Sequence, residues 1–254
     1  MKSADVPIRD AATVVLLRDS AAGLEVWLLT RVTQMVFAGG MAVFPGGRVD
    51  DADADLPFTA AVDAAASRFG CSPEQARALV GAAVRETFEE TGVLLTVPSA
   101  DLSGARADVE LGRVAFGDLL RANELAVDGD AVRAWSRWVT PVGEVRRYDT
   151  RFFVAALPDS AEAQDVTNES SEASWVPVSA ALEQAQRGER KALPPTLMTL
   201  ASLLPFSTVA EVLAAAESRT LEAVRPEIKV DDDGSISVEL PDGTVFSAPP
   251  GMFR

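Results

Sequence analysis

Residues 85–92 read Arg-Glu-Thr-Phe-Glu-Glu-Thr-Gly, and no other stretch restricts the fold of this chain as much. Glu86, Glu89 and Glu90 stand at i, i+3 and i+4, so a helix sets them side by side on one face. Three carboxylates held there repel one another unless a cation lies among them, and a hard divalent metal ion answers that requirement. Val80, Val84 and Phe88 recur every four residues on the opposite face and give the helix a side to bury. Gly92 supplies the stop. The segment reads as a core-packed helix that offers an acidic face to a cleft. The alternative is a solvated helix end, as acid-rich helices often are.

The flanking residues fix where that helix starts. Ser72-Pro73-Glu74-Gln75 provides an N-cap, a proline at the first helical position and a capping-box glutamine. A helix is predicted from about Pro73 to Thr91, with Gly81 as the point where it can break. Leu79 falls on the acidic side by helical angle, which asks for a break or a covering element there. Upstream, the alanine-rich run Thr59–Phe69 is a second helix stopped by Gly70. Ala11–Leu17 and Leu24–Thr30 are apolar strand-like runs around a turn at Asp19–Gly23, which makes a hairpin. The loop Arg31–Gly40 leads to a third strand, Met41–Phe44, and a Pro45-Gly46-Gly47 turn.

Downstream, Val93–Val97 reads as a short strand, and Arg113–Asn123 and Ala131–Arg137 as helices. Arg146–Val154 is a central strand with a charged mouth. Its Arg147, Tyr148 and Arg151 can grip phosphate or stack a base, with local ion pairs as the alternative. Val178–Arg187, Pro194–Leu204 and Ser207–Leu221 read as helices. Ile228–Val230, Ser235–Leu240 and Thr244–Phe246 read as a small β-meander, which can cover a pocket or pair with a second subunit.

Composition narrows the chemistry by exclusion. The 254 residues contain no histidine, which removes Ser-His-Asp and Cys-His catalysis and any His-ligated zinc. Cys71 is the only cysteine, so it forms no intrachain disulfide, in keeping with a reducing cytoplasm. A formal charge of −15 argues against long nucleic acids, whose affinity comes from cationic contacts to phosphate. A small phosphorylated substrate is still allowed, because a metal ion bridges carboxylates and phosphate oxygens. The sequence shows no signal-type run and no stretch of the roughly 20 apolar residues needed to span a membrane, so a membrane partner is not expected.

Phe44-Pro45-Gly46-Gly47 and the acidic octapeptide together resemble the signature of the Nudix hydrolases: GxxxxxE, seven residues, then REUxEExGU, with U a bulky apolar residue. Gly47 matches the opening glycine, and Asp53 stands where the family has glutamate. Arg85, Glu86, Glu89, Glu90, Gly92 and Val93 match the second half in register, with Thr87 at a normally aliphatic position. Between Asp53 and Arg85 lie 31 residues in place of seven, an excess of 24. An interruption at this place resembles a Nudix subgroup related to the peroxisomal coenzyme-A hydrolases. Leu28-Leu29-Thr30-Arg31 and Gly40–Gly47 partly resemble a coenzyme-A-recognising pattern, with Val36 where a second arginine is expected.

The resemblance implies an α+β fold, a Nudix-type α/β/α sandwich with a mixed sheet, a helical insertion in the motif and a C-terminal helical and β-meander extension. The expected organisation is a tail over 1–10, a Nudix domain over 11–180 with the insertion at 54–72, and an extension over 181–254 packed on the same domain. The implied reaction is hydrolysis of a nucleoside diphosphate linked to another moiety, coenzyme A or an acyl derivative leading the choices. Glu86, Glu89 and Glu90 would hold Mg²⁺ or Mn²⁺, with a backbone carbonyl at Gly46 as a further ligand, and Arg85 would orient the glutamates. Glu169, before the Trp175-Val176 strand, is the first candidate for an additional catalytic acid and Glu172 the second. Arg31, Arg147, Tyr148 and Arg151 are the candidate substrate contacts. A homodimer is expected from the family. The competing function class is a Nudix-fold nucleotide sensor without turnover.

Overall fold

In the computed structural model, which describes residues 6–32, 39–59, 62–164, 170–230 and 236–248, the two apolar N-terminal runs form a hairpin of β1 (Ile8–Ser20) and β2 (Gly23–Arg31). Their antiparallel register joins Leu17–Ser20 to Gly23–Val26. Further along, other strands come between them. β3 (Ala42–Val43) pairs with Leu29 and Thr30 of β2, and β4 (Gly46–Arg48) pairs with residues 11–13 of β1. The Phe44-Pro45-Gly46-Gly47 turn therefore sits inside the sheet, in a wedge opened between β1 and β2. The Pro45 carbonyl accepts from the Val14 N–H at 2.8 Å, which pins the turn to β1.

A 3₁₀ turn at Asp51–Asp55 leads to α1 (Asp63–Phe69) and to the motif helix α2 (Pro73–Thr91). Then follow the short strand β5 (Thr96–Val97), α3 (Arg106–Glu110), α4 (Phe116–Ala122) and β6 (Ala126–Val127), which pairs with β5. The chain re-enters the main sheet as β7 (Arg133–Val139), β8 (Arg147–Ala156) and β9 (Ser170–Pro177). Three helices come next, α5 (Val178–Gln186), α6 (Pro194–Leu203) and α7 (Val209–Ser218). A short β10 (Ala223–Val224) adds to the edge of β7. The chain continues in an antiparallel three-stranded sheet, β11 (Glu227–Val230), β12 (Ile236–Glu239) and β13 (Val245–Ala248).

The large sheet has eight strands in the order β10-β7-β8-β1-β2, with β9 on the outer edge of β2 and β3 and β4 in the wedge. It is mixed: β8 runs parallel to β1, whereas β7 and β8 are antiparallel. Both faces are covered, which explains why β1 is an unbroken apolar run rather than an alternating one. Val14 and Leu16 point to the core under α1 and α2, whereas Val15 and Leu17 point to the core under α5, α6 and α7. Each fully buried side chain of this kind contributes about 1.5–3 kcal/mol relative to exposure. The α/β/α sandwich is thus the observed architecture, and residues 181–254 supply much of its second helical layer.

The motif helix does not break at Gly81. A β-carbon added there would lie 2.2 Å from the Asp53 carbonyl oxygen, so glycine lets the 3₁₀ turn press directly onto the helix. Leu79 is fully buried in the same core as Leu56 and Phe116, so a covering element, not a break, answers the apolar residue on that side. Ser72 caps the start, its hydroxyl accepting from the Gln75 N–H at 3.1 Å. Gly92 takes a left-handed conformation and closes the end on the Phe88 carbonyl. Thr87 is buried like the aliphatic residue it replaces and donates its hydroxyl back to the Ala83 carbonyl at 2.7 Å.

One predicted element is corrected. Ala131–Arg137 is not a helix; residues 133–139 form β7. The register against β8 shifts between Ala134 and Ser136, so the strand loses strict alternation there. Buried positions fall at Ala134 and Trp135, then at Trp138 and Val139, a spacing that imitates one turn of helix. The helix predicted over Arg113–Asn123 begins later, at Phe116. The meander is formed as predicted, and none of its described residues lines the cleft described below; its Asp231–Asp233 segment lies outside the described residues. Among the described residues no helix is long and apolar enough to cross a membrane.

Candidate active site

The acidic face of α2 meets the wedge of the sheet at Gly46 and Gly47. A β-carbon on Gly47 would lie 2.5 Å from the Glu86 carboxyl carbon, so glycine lets that carboxylate lie directly against the turn, and a larger residue would push it aside. Gly46 has φ of 156°, and a β-carbon there would lie 2.4 Å from the Ala12 carbonyl oxygen. Its N–H donates to Glu90 Oε2 at 2.9 Å. The Gly-Gly turn is therefore a docking point for two of the three motif glutamates.

Arg85 organises the rest. Its Nε and Nη2 donate to the two carboxylate oxygens of Asp53 at 2.8 and 3.0 Å, a bidentate fork. Its Nη1 donates to Glu86 Oε1 at 2.9 Å and to Glu89 Oε2 at 3.2 Å, and Nη2 also reaches the Arg48 carbonyl at 3.0 Å. Asp53 is 1% exposed and also accepts from the Asp50 N–H at 2.8 Å, which closes the 3₁₀ turn. The residue that stands for the usual motif glutamate thus ties the turn preceding the insertion to the helix following it.

One guanidinium serves three carboxylates, and the imbalance shows in their acidity. Burial pushes the Glu89 carboxyl up to about 7, against the pull of Arg85 and with the help of the Glu86 charge. Burial likewise raises Glu86, with Arg85 opposing and Asp53 and Asp50 reinforcing. Burial works against the Arg85 charge, but its bonds to Asp53 and the neighbouring carboxylates outweigh that effect and hold it protonated. Among the described residues no three acidic groups converge as a formed metal site. Glu86 and Glu89 lean on Arg85 and Glu90 on the Gly46 N–H. A bound cation would relieve the excess negative charge, and a donor set made wholly of oxygens suits a hard divalent ion. The residues fit such a group.

A cleft of about 590 Å³ opens at this point, a size typical of small-molecule sites. Glu86, Glu90, Gly46, Gly47 and Arg48 form one end of its wall. Strand alternation builds the floor: Ala11 and Thr13 of β1 and Tyr148, Thr150 and Phe152 of β8 share one face. Trp138, Phe44, Arg31 and Arg146 add aromatic and cationic surface, and Leu193, Pro195 and Thr196 close the far side at the start of α6. The floor belongs to the face under α5, α6 and α7, whereas α2 packs on the opposite face. The wedge is where the acidic helix reaches through.

Of the predicted substrate contacts, Arg31 and Tyr148 line the cleft. Arg147 lines an adjoining pocket at the strand mouth and donates from Nε to the Thr140 carbonyl at 3.2 Å. The structure does not bring Arg151 to the cleft. It sits on the other face of β8, 2% exposed, in ion pairs with Asp10 and Asp149. Glu169 lies outside the described residues, and Glu172 is exposed opposite Thr30 on the outer edge of β2. Cys71 is half-buried, its thiol pushed up by burial against the field of Arg151.

Sequence reasoning passed over Trp138, Thr13 and the Leu193–Thr196 segment as parts of the cleft and left Asp53 without a role. Parity along β8 was a usable signal, since it puts Tyr148, Thr150 and Phe152 on one side and Arg151 on the other. Trp138 was hidden by the bulge in β7, and no local pattern marks Pro195 as a wall of a distant cleft.

A profile of the NUDT19 Nudix domain matches residues 58–203, more than half of the chain and including the whole acidic octapeptide. The chain is 26% identical over 284 residues to acyl-coenzyme A diphosphatase NUDT19 of Xenopus laevis, covering 92% of this chain and 74% of that protein. It is 28% identical over 204 residues to putative nudix hydrolase 7 of Caenorhabditis elegans, covering 77% of this chain but only 60% of the nematode protein. Among solved structures, a NUDIX hydrolase from Alicyclobacillus acidocaldarius superposes with a TM-score of 0.70 at 30% identity, over 83% of this chain and 97% of that one. Nudix hydrolases generally use divalent metal cations, in accord with the donor set described above. The chain belongs to the Nudix hydrolases, in the family of the NUDT19 Nudix domain, and is an enzyme that acts on phosphoanhydride bonds.

Proposed function

We propose that the protein hydrolyses the diphosphate of coenzyme A or acyl-coenzyme A with Mg²⁺ or Mn²⁺. The observation that carries this reading is the cleft in which Glu86 and Glu90 at the Gly46-Gly47 turn face an aromatic and cationic floor. Relatives described as acyl-coenzyme A diphosphatases support the choice of substrate. Glu86, Glu89 and Glu90 hold the metal in this reading, and the Gly46 carbonyl is the candidate backbone ligand. The chemistry supplied by the bound cation is neutralisation of the diphosphate and a lowered pKa for the attacking water. Arg85 is a positioning residue: its fork to Asp53 fixes the guanidinium that aims Glu86 and Glu89. Tyr148 and Trp138 offer faces for the nucleobase, while Arg31 and Arg147 offer charge for phosphate. Glu169 is kept as the candidate for an additional acid.

The presence of all three motif glutamates favours the enzyme over a nucleotide sensor. Chromatographic product analysis over coenzyme A, ADP-ribose, NADH and nucleotide sugars, with Mg²⁺, Mn²⁺ or EDTA, tests the assignment. Coenzyme A should be split at its diphosphate with either metal and left intact in EDTA. Turnover of the other compounds with coenzyme A untouched would displace it as substrate, and full activity in metal-stripped protein would end the metal assignment. A homodimer is part of the same proposal, supported by the outer edges of the three-stranded sheet, which pair with no strand among the described residues. Light scattering that returns a monomer would remove it.

A further inference from the structure

Beside the cleft, at the mouth of β1 and β8, lies a second pocket of about 640 Å³ that shares Arg48, Arg146 and Tyr148 with it. Arg9, Arg48, Arg146 and Arg147 all line this pocket, a concentration of cations in a chain of net charge −15. Arg48 is paired with Asp50 at 2.7 Å. Arg147 gives its Nε to a neutral carbonyl. Among the described residues, Arg9 and Arg146 pair with no acid. Four arginines therefore line one pocket with a single carboxylate paired to them among the described residues, the reverse of the imbalance around Arg85. Left so, the cations repel one another; an anion with several acceptor oxygens relieves that repulsion and takes forked hydrogen bonds.

The pocket is also in line with the reaction centre. Arg9 stands opposite Tyr148 in the parallel register of β1 and β8, on the same face as Ala11 and Thr13. Thr13 is the partner of Gly46, so a single strand face leads from the Gly-Gly turn to Arg9. Four residues of strand span about 13 Å, and arginine side chains shorten the gap. A nucleotide laid along that face has its diphosphate at the acidic helix, its base against the aromatic floor and its ribose toward the arginines.

We infer that the arginine pocket binds a phosphate monoester of the substrate, separate from the diphosphate that is cleaved, so that the enzyme selects nucleoside diphosphate derivatives phosphorylated on the ribose. This deepens the diphosphatase reading and rests on it for the direction in which substrate lies. Coenzyme A carries such a 3′-phosphate; 3′-dephospho-coenzyme A lacks it and is otherwise the same. Wild-type protein should show a KM for coenzyme A lower by about tenfold or more, the size of one or two charge-assisted hydrogen bonds. Arg9→Gln should collapse that ratio toward one, and Arg9→Gln with Arg146→Gln should abolish it. Equal KM values in wild type, or a ratio that survives both substitutions, would overturn the inference while leaving the diphosphatase reading intact.

Binding separates the opposite case. Calorimetric titration of adenosine 3′,5′-bisphosphate and adenosine 5′-monophosphate needs no turnover. The bisphosphate should bind about tenfold tighter to wild type, and the difference should vanish in Arg9→Gln. Equal binding of the two nucleotides to wild type refutes the phosphate subsite, whatever the enzyme hydrolyses. A clear preference for the bisphosphate, together with no cleavage of coenzyme A, would instead uphold the subsite and defeat the proposed reaction.

Discussion

Arg85 and Arg151 are both buried arginines on the α1–α2 side of the structure, with side chains 12% and 3% exposed, yet their surroundings differ in charge balance. Around Arg151 the count closes. Asp149 takes a bidentate pair from Arg137 at 2.9 and 2.7 Å, Arg151 pairs with Asp10 and Asp149, and Gln75 donates to Asp10 at 2.8 Å. Two cations meet two anions, although Arg151 Nε is left buried without a partner. Around Arg85 the count does not close: Asp53, Glu86 and Glu89 share one guanidinium, and burial lifts Glu89 to about 7. A balanced buried cluster holds three strands and one helix, β7, β8, β1 and α2, in register. An unbalanced one stores a demand for a further cation, and that is the property a metal-dependent enzyme needs.

Three substitutions can break this contrast. Glu89→Gln or Glu90→Gln should lower metal-dependent turnover by on the order of 100-fold or more, because a metal ligand supplies several kcal/mol of charge stabilisation. Far-UV circular dichroism should show the fold retained, since each change removes a buried charge rather than a packed group. Turnover at the wild-type rate in either variant would take that glutamate out of the metal set. Arg85→Lys keeps the charge but loses the fork to Asp53, and should cost about 10–100-fold in activity or metal affinity. A lysine variant with unchanged metal titration would show that charge alone, and not the fork, positions Glu86 and Glu89.

Arg151→Met should have the smallest effect on turnover. It leaves Asp10 and Asp149 short of a cation and should reduce stability by about 3–5 kcal/mol in urea unfolding. Turnover per folded molecule should stay at the wild-type level. Lost turnover with undiminished stability would return Arg151 to the substrate contacts expected from its place beside Tyr148.

The acidic helix was the most legible part of this protein because its evidence is local. The cap at Ser72, the stop at Gly92 and the spacing of Glu86, Glu89 and Glu90 are contained within the helix and its ends, and the structure keeps them all. The hairpin, the meander and the C-terminal helices were legible for the same reason. β7 was not, because a bulge at Ala134–Ser136 gives a strand the burial spacing of a helix. The role of Asp53 was hidden by the insertion, which separates it from Arg85 in sequence while the Gly81 contact brings the two segments together. Arg147, Tyr148 and Arg151 looked alike in a charged strand mouth. Strand parity and the neighbouring aspartates then sent Arg151 away from the cleft.

By itself the sequence determined an acidic helix built to face a cation, a glycine turn able to approach it closely, and a chemistry confined to oxygen ligands by the lack of histidine. Only the tertiary structure decided where those parts meet. β1 and β2 admit the glycine turn between them, so carboxylates from one face of the sheet open into a cleft on the other. Residue spacing specifies which groups can share a surface. Their charge balance depends on partners distant in the chain, and burial and long-range pairing arise only when the whole sheet closes.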